Sequence, residues 1–393
     1  MINNDAKTLV CDKTSPCRRT AERDVASSRF LGDNVIYNSQ AGALVFCCGI
    51  VFKVSSLPGL VAQHLQSSTL WLYLVMSAID LLCLLSVYLF AKSGADGNLV
   101  KSGSVSYRAL NALLCLYLLA KGFFYFVYTV IFLTIDLFVG VAPYVIVFVL
   151  AAPVVYTGIK GMRALARSAE IFALLLFAVM VVNLAFLEAD TDFGRNLPVF
   201  ALPPADFFSE GLRFGMWLGD LFPLLFVTLK NKRLPYFAFG TGAAYSLVVV
   251  IAAVAVAMYG NALPYVYNML IRIAGFNQLS TEIGRLEWAA LFVVIIMAVM
   301  GLSLLFWGST ESCRRAVGSS LPAGILFTLL ITVVPLAVPT LQDVVAFSTS
   351  SFGYAMFALA VFFAVAFAFA AVKHGNLRRR TPAKEDAGTG GEK

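Results

Sequence analysis

Charged side chains are scarce in this chain: 22 acidic and 29 basic residues among 393, or 13%, against about 25% in an ordinary soluble domain. That is too little to cover one or two water-facing domains of this length. Histidine occurs only twice, at His64 in an outer helix end and at His374 in the C-terminal tail, and neither sits in a zincin spacing. No phosphate-cradling glycine loop or nucleophile elbow occurs, so enzymatic chemistry is not expected, nor is a cofactor or metal. Four of the seven cysteines (Cys47, Cys48, Cys83 and Cys115) lie inside apolar runs, which is not the pattern of a disulfide framework. Cys11 and Cys17 have no nearby His and are not read as metal ligands. The first 35 residues mix charges and polar groups, so they do not read as a cleaved signal peptide.

What the chain has instead is apolar surface: 60% hydrophobic residues and a mean hydropathy of +0.84. Apolar runs fall at about 40–62, 70–91, 108–137, 143–158, 165–187, 207–229, 236–258, 287–307, 321–340 and 345–372. Each is long enough to cross a hydrocarbon core about 30 Å thick once tilt is allowed. The expectation is therefore an all-α integral membrane protein of about ten transmembrane helices. A polar cytoplasmic tail (1–35) precedes the membrane domain (36–372), and a basic, disordered cytoplasmic tail (373–393) follows it.

The net charge of +7 does not point to nucleic acid, because the basic residues cluster at the ends of apolar runs. One face collects the N-terminal tail, Lys92, Lys101 and Arg108, then Lys160, Arg163 and Arg167, then Lys230, Lys232 and Arg233, then Arg314 and Arg315, and the C-terminal tail. The other face has Arg195, Arg213, Arg272 and Arg285. That asymmetry orients the chain with both termini cytoplasmic. Two outer connections are long, about 188–206 and 259–286, and the second holds an amphipathic stretch, Tyr265–Phe276, expected to lie as a helix at the membrane interface.

Two spans carry the same interruption. Span 1 has Gly49 nine residues before Pro58, and span 6 has Gly215 eight residues before Pro223, each around one ionisable group, Lys53 and Asp220. Broken helices at matched places in two halves mark the binding site of inverted-repeat transporters, so the expected architecture is five-plus-five with helices 1 and 6 broken. Lys53, Asp80, Lys121 and Asp220 lie well inside spans, where a charge costs roughly 2.5–3.5 kcal/mol on insertion scales. They are expected to pair with one another, either as a structural lock or as partners that exchange when a ligand or proton arrives. The aromatic run Phe123–Tyr128 in span 3 is read first as packing.

From Gln40 to about Gly318 the chain resembles the spore germination proteins of the germinant-receptor B-subunit family, which are similar to permeases of the amino acid–polyamine–cation superfamily. The resemblance rests on Gln40 with Pro58, on Ala166-Arg167-Ser168-Ala169-Glu170, on Asn196-Leu197-Pro198-Val199, on Leu218-Gly219-Asp220 and on Gly284-Arg285-Leu286-Glu287-Trp288. It implies a subunit that senses a small nutrient, typically an amino acid, in the cell membrane or spore inner membrane. Its partners would be a large membrane subunit and a lipoprotein, besides membrane lipid. It also implies a pocket between spans 1, 3, 6 and 8, with Gly49, Val51 and Lys53 on one side and Leu218, Gly219 and Asp220 on the other. Gly122, Tyr125 and Gly301 would close it. The Gly-x-Gly common at the family's first break falls here on Val51-Phe52-Lys53. Lys53 is accordingly expected to pair with Asp220 or Asp80, and the pocket to prefer something other than a simple α-amino acid. A proton- or cation-coupled amino acid transporter and a non-binding structural subunit are the alternatives.

Overall fold

A computed structural model describes residues 34–380 apart from 56, 139, 186–190, 198–201, 231–233, 267, 276–286 and 338–340. Residues 1–33 and 381–393, which make up most of the two expected tails, lie outside the described residues, as do Pro198, Val199 and Gly284–Leu286. The helices are α1 (Asn38–Ser55), α2 (Leu57–Leu65), α3 (Thr69–Ser93), α4 (Ala95–Ser102), α5 (Val105–Phe132), α6 (Pro143–Lys160), α7 (Met162–Ala185), α8 (Pro204–Leu212), α9 (Leu234–Tyr259), α10 (Met269–Gly275), α11 (Glu287–Val317), α12 (Leu321–Thr332), α13 (Val334–Ala337), α14 (Leu341–Ser348) and α15 (Ser351–Arg380).

Among the described residues eight helices are long and apolar enough to cross a membrane, and two shorter apolar segments lie at Gly215–Phe226 and Leu321–Ala337. The chain is an all-α membrane protein. Its strand content among the described residues is one parallel pair, β1 (Val35–Ile36) against β2 (Thr228–Leu229). Helices that are apolar all round have no water-facing side, and their burial shows which are central. Most of α1 and α5 is enclosed, whereas α6, α7 and α15 turn most of their surface outward. α1 packs against α9, α7 and α11, α5 lies along α11, and α15 lies along α3.

Three sequence expectations change in detail. α15 continues to Arg380, so the polar tail expected from residue 373 is helical as far as that residue. Arg314 and Arg315, expected in a loop, belong to the last turn of α11. The described residues of the stretch Tyr265–Phe276 hold the end of a 3₁₀ segment at Tyr265 and the seven-residue α10, whose Met269, Leu270, Ile273 and Ala274 are buried against protein, with α11 and α1 among its neighbours.

Candidate functional site

In span 1, α1 ends at Ser55 and α2 begins at Leu57, with Pro58 as its second residue. Proline has no N–H for the helix ladder and crowds the carbonyl four residues back. The Lys53 carbonyl, in the last turn of α1, accepts a 2.8 Å hydrogen bond from the Tyr73 hydroxyl. Val51 and Lys53 stay in regular helix, so the break expected at Val51–Lys53 does not fall there.

Span 6 unwinds more fully. A 3₁₀ turn at Gly215–Trp217 gives way to extended Leu218 and then to a second 3₁₀ segment at Phe222–Phe226. Gly219 sits between them at φ 71°, where a Cβ would run into the Phe222 ring. Unwinding frees backbone groups that a membrane interior cannot hydrate, and side chains answer those at Leu218 and Gly219. The Leu218 carbonyl accepts from the Tyr117 hydroxyl at 2.6 Å and from Lys121 Nζ. The Met216 carbonyl lies 3.2 Å from the Tyr125 hydroxyl, and the Gly219 N–H donates to Asp80 Oδ1 at 2.7 Å. Gly219→Ala combines a left-handed backbone with a ring clash and is expected to lose about 2 kcal/mol or more of stability in detergent unfolding. A variant as stable as wild type would contradict this geometry.

The four intramembrane charges meet at this point. Lys53 Nζ donates to Asp80 Oδ2 at 2.7 Å, to Asp220 Oδ2 at 2.9 Å and to the Gly49 carbonyl at 2.9 Å. An ammonium has three protons, so its donors are all used. Lys121 Nζ lies 2.7 Å from Asp220 Oδ1, which also accepts from Tyr125 at 2.7 Å. Tyr245 donates to Asp80 Oδ2 at 2.5 Å. Two lysines and two aspartates balance formally, and none of the four is more than 4% exposed. Lys53 therefore pairs with both aspartates, and the pairing ties α1 to α3 and to the unwound strand of span 6.

The remaining expected site residues take several roles. Val51 is buried, and the ring of Phe52 beside it stacks on Tyr125 with centroids 3.9 Å apart. Gly301 of α11 faces Phe52 and Val51, while the space a Gly122 Cβ would fill is occupied by the Phe327 ring of α12. Gly122 therefore serves close helix packing. Tyr117 and Tyr245 were not among the expected residues. Tyr117, Lys121 and Tyr125 recur every four residues along α5 and share one face, a stripe legible in the sequence; Tyr245 stands alone on α9 and has no such signal.

A second charged cluster lies at the basic end of the bundle. Arg315 forks onto Asp96 of α4 at 2.8 and 2.6 Å, pairs with Glu311 and lies 4.2 Å above the Phe226 ring. Asp96 accepts from Tyr107 at 2.5 Å, and Glu311 accepts from Asn34 at 3.0 Å. Asn34 also gives its carbonyl to the Thr228 N–H at 3.0 Å, extending the β1–β2 pair. The chain entering span 1 and the chain leaving span 6 are thus joined at this end, as they are at the charge centre.

Two of the segments that carry the family resemblance touch. Glu170 accepts from Gln40 at 3.3 Å and from Ser39 at 3.1 Å. Asn196 donates to the Ala253 carbonyl at 3.3 Å, and its neighbour Arg195 donates to the Ala257 and Met258 carbonyls, so this turn caps the end of α9. The chain matches no family model, and no curated protein matches it in sequence.

Proposed function

We propose that the chain is a permease-like sensor subunit of the spore germinant-receptor B-subunit type, responding to a small nutrient. Eight long spans and the two shorter apolar segments supply ten crossings. They are arranged as a five-plus-five inverted repeat with the interrupted spans 1 and 6 at corresponding positions. Both termini are cytoplasmic, as the basic loops require. The partners are a large membrane subunit and a lipoprotein.

One observation carries the reading. The only link between α1 and the unwound part of span 6 that uses full charges is the Lys53 ammonium between two carboxylates, among the described residues. A ligand ammonium that competes for Asp80 and Asp220 binds best where the two spans have moved apart, and differential affinity of that kind is what shifts a two-state bundle. The test is thermal unfolding of the detergent-purified protein across amino acids, amines, sugars and nucleosides. A ligand at 100 times its dissociation constant adds about 2.7 kcal/mol, and Asp220→Asn is expected to abolish the effect. A stabilising ligand whose effect survives Asp220→Asn would place binding elsewhere.

A second reading, the non-binding structural subunit, is favoured by the full engagement of the Lys53 donors. It is distinguished by the absence of any stabilising ligand for the wild type combined with amine binding by Lys53→Ala.

A further inference from the structure

A cleft of about 810 Å³ opens at the basic end between α6, α11 and α12, and none of the four central charges lines it. Its mouth carries Lys160, Arg163 and Arg314. Among the described residues the one acidic group in its lining is Glu311, which is engaged by Asn34, Arg314 and Arg315. The described lining thus carries three cations against one carboxylate.

Its outer wall is of the opposite character. Leu321, Ile325 and Leu329 recur every four residues along α12 and are 68%, 52% and 49% exposed, and Ile159 of α6, also in the lining, is 71% exposed. At 1.5 Å per residue the stripe runs about 12 Å down the helix from the basic mouth toward the membrane interior. Exposed apolar residues on a membrane-spanning segment face acyl chains rather than water. The cleft thus places cations at headgroup level and a continuous apolar lane immediately below them.

We propose that this cleft is a binding site for an anionic phospholipid, with the phosphate held at Lys160, Arg163 and Arg314 and one acyl chain lying along Leu321, Ile325 and Leu329. A free phosphate shares the first half of that chemistry but has no use for the second, and a zwitterionic lipid shares the second but gains less from three cations. The site is independent of the germinant reading, since it depends only on the chain lying in a membrane.

The test is titration of the full chain, purified in neutral detergent, with phosphatidylglycerol, phosphatidylcholine and inorganic phosphate, read by thermal unfolding and native mass spectrometry. Phosphatidylglycerol is expected to bind at least about tenfold more tightly than phosphatidylcholine, and inorganic phosphate to leave the unfolding temperature unchanged. Lys160→Gln and Arg163→Gln, both at exposed positions, are each expected to weaken phosphatidylglycerol about fivefold, the equivalent of roughly 1 kcal/mol per basic residue. Ile325→Asn is expected to weaken it too. Lys92→Gln, an exposed lysine at the end of α3, is expected to leave it unchanged. Equal binding of the two lipids, an undiminished response in the Lys160/Arg163 double variant, or a shift reproduced by inorganic phosphate would each overturn the proposal.

Discussion

Replacing Lys53 with alanine is expected to destabilise the protein by about 3–5 kcal/mol, the usual consequence of removing one partner from a buried ion pair. The reason lies in what remains. Asp80 and Asp220 keep Tyr245, Lys121, Tyr125 and the Gly219 N–H but face each other across the space the ammonium filled, and the centre becomes one charge short. The same geometry gives the loss a particular cure. Two carboxylate oxygens and the Gly49 carbonyl, at 2.7–2.9 Å from the ammonium position, form a receptor for a primary alkylammonium. Methylamine or butylamine should therefore raise the unfolding temperature of Lys53→Ala and leave that of the wild type alone. Tetramethylammonium, which has no N–H to donate, should do neither. A Lys53→Ala protein as stable as wild type would show that the lysine bears no part of the contact.

Arg315→Leu is expected to cause a loss of similar size, about 3–5 kcal/mol, at the other junction of the two interrupted spans. The substitution keeps an apolar side chain over Phe226 but leaves Asp96 and Glu311 without the cation they share. Arg315→Lys restores the charge but not the planar fork, so it should fall between leucine and wild type. The comparison is made by unfolding in detergent. A lysine variant no better than leucine would assign the effect to the fork alone, and a leucine variant equal to wild type would remove this cluster from the account of stability.

How much of this was legible in the sequence depends on whether a residue's partner is local. The long apolar spans follow from composition and run length, because a membrane crossing leaves a contiguous signal. The two interruptions were expected from Gly49 with Pro58 and from Gly215 with Pro223, because proline and glycine act on their own backbone; that Gly219 takes the left-handed turn of span 6 was not specified. The meeting of Lys53, Asp80, Lys121 and Asp220 follows from the expense of each charge alone, which made pairing the expectation without specifying who pairs with whom. The sequence left Asp80 and Asp220 as alternatives for Lys53; in space the ammonium reaches both. Tyr245 and Tyr73 were beyond reach, since a tyrosine in an apolar helix is ordinary until the group opposite its hydroxyl is known. Arg315 was misplaced for a related reason. Topology counting treats an arginine at a span end as a loop marker, whereas here the helix continues and Asp96, on a separate short helix, draws the side chain inward.

The central claim is that Lys53 and Asp220 hold the two interrupted spans together as a pair rather than each filling its own place. A double-mutant cycle in detergent unfolding measures that directly, using Lys53→Met, Asp220→Asn and the double variant. The expected result is a coupling of about 1 kcal/mol or more, with the double variant more stable than the sum of the two losses allows. Losses that add to within about 0.3–0.5 kcal/mol would contradict it.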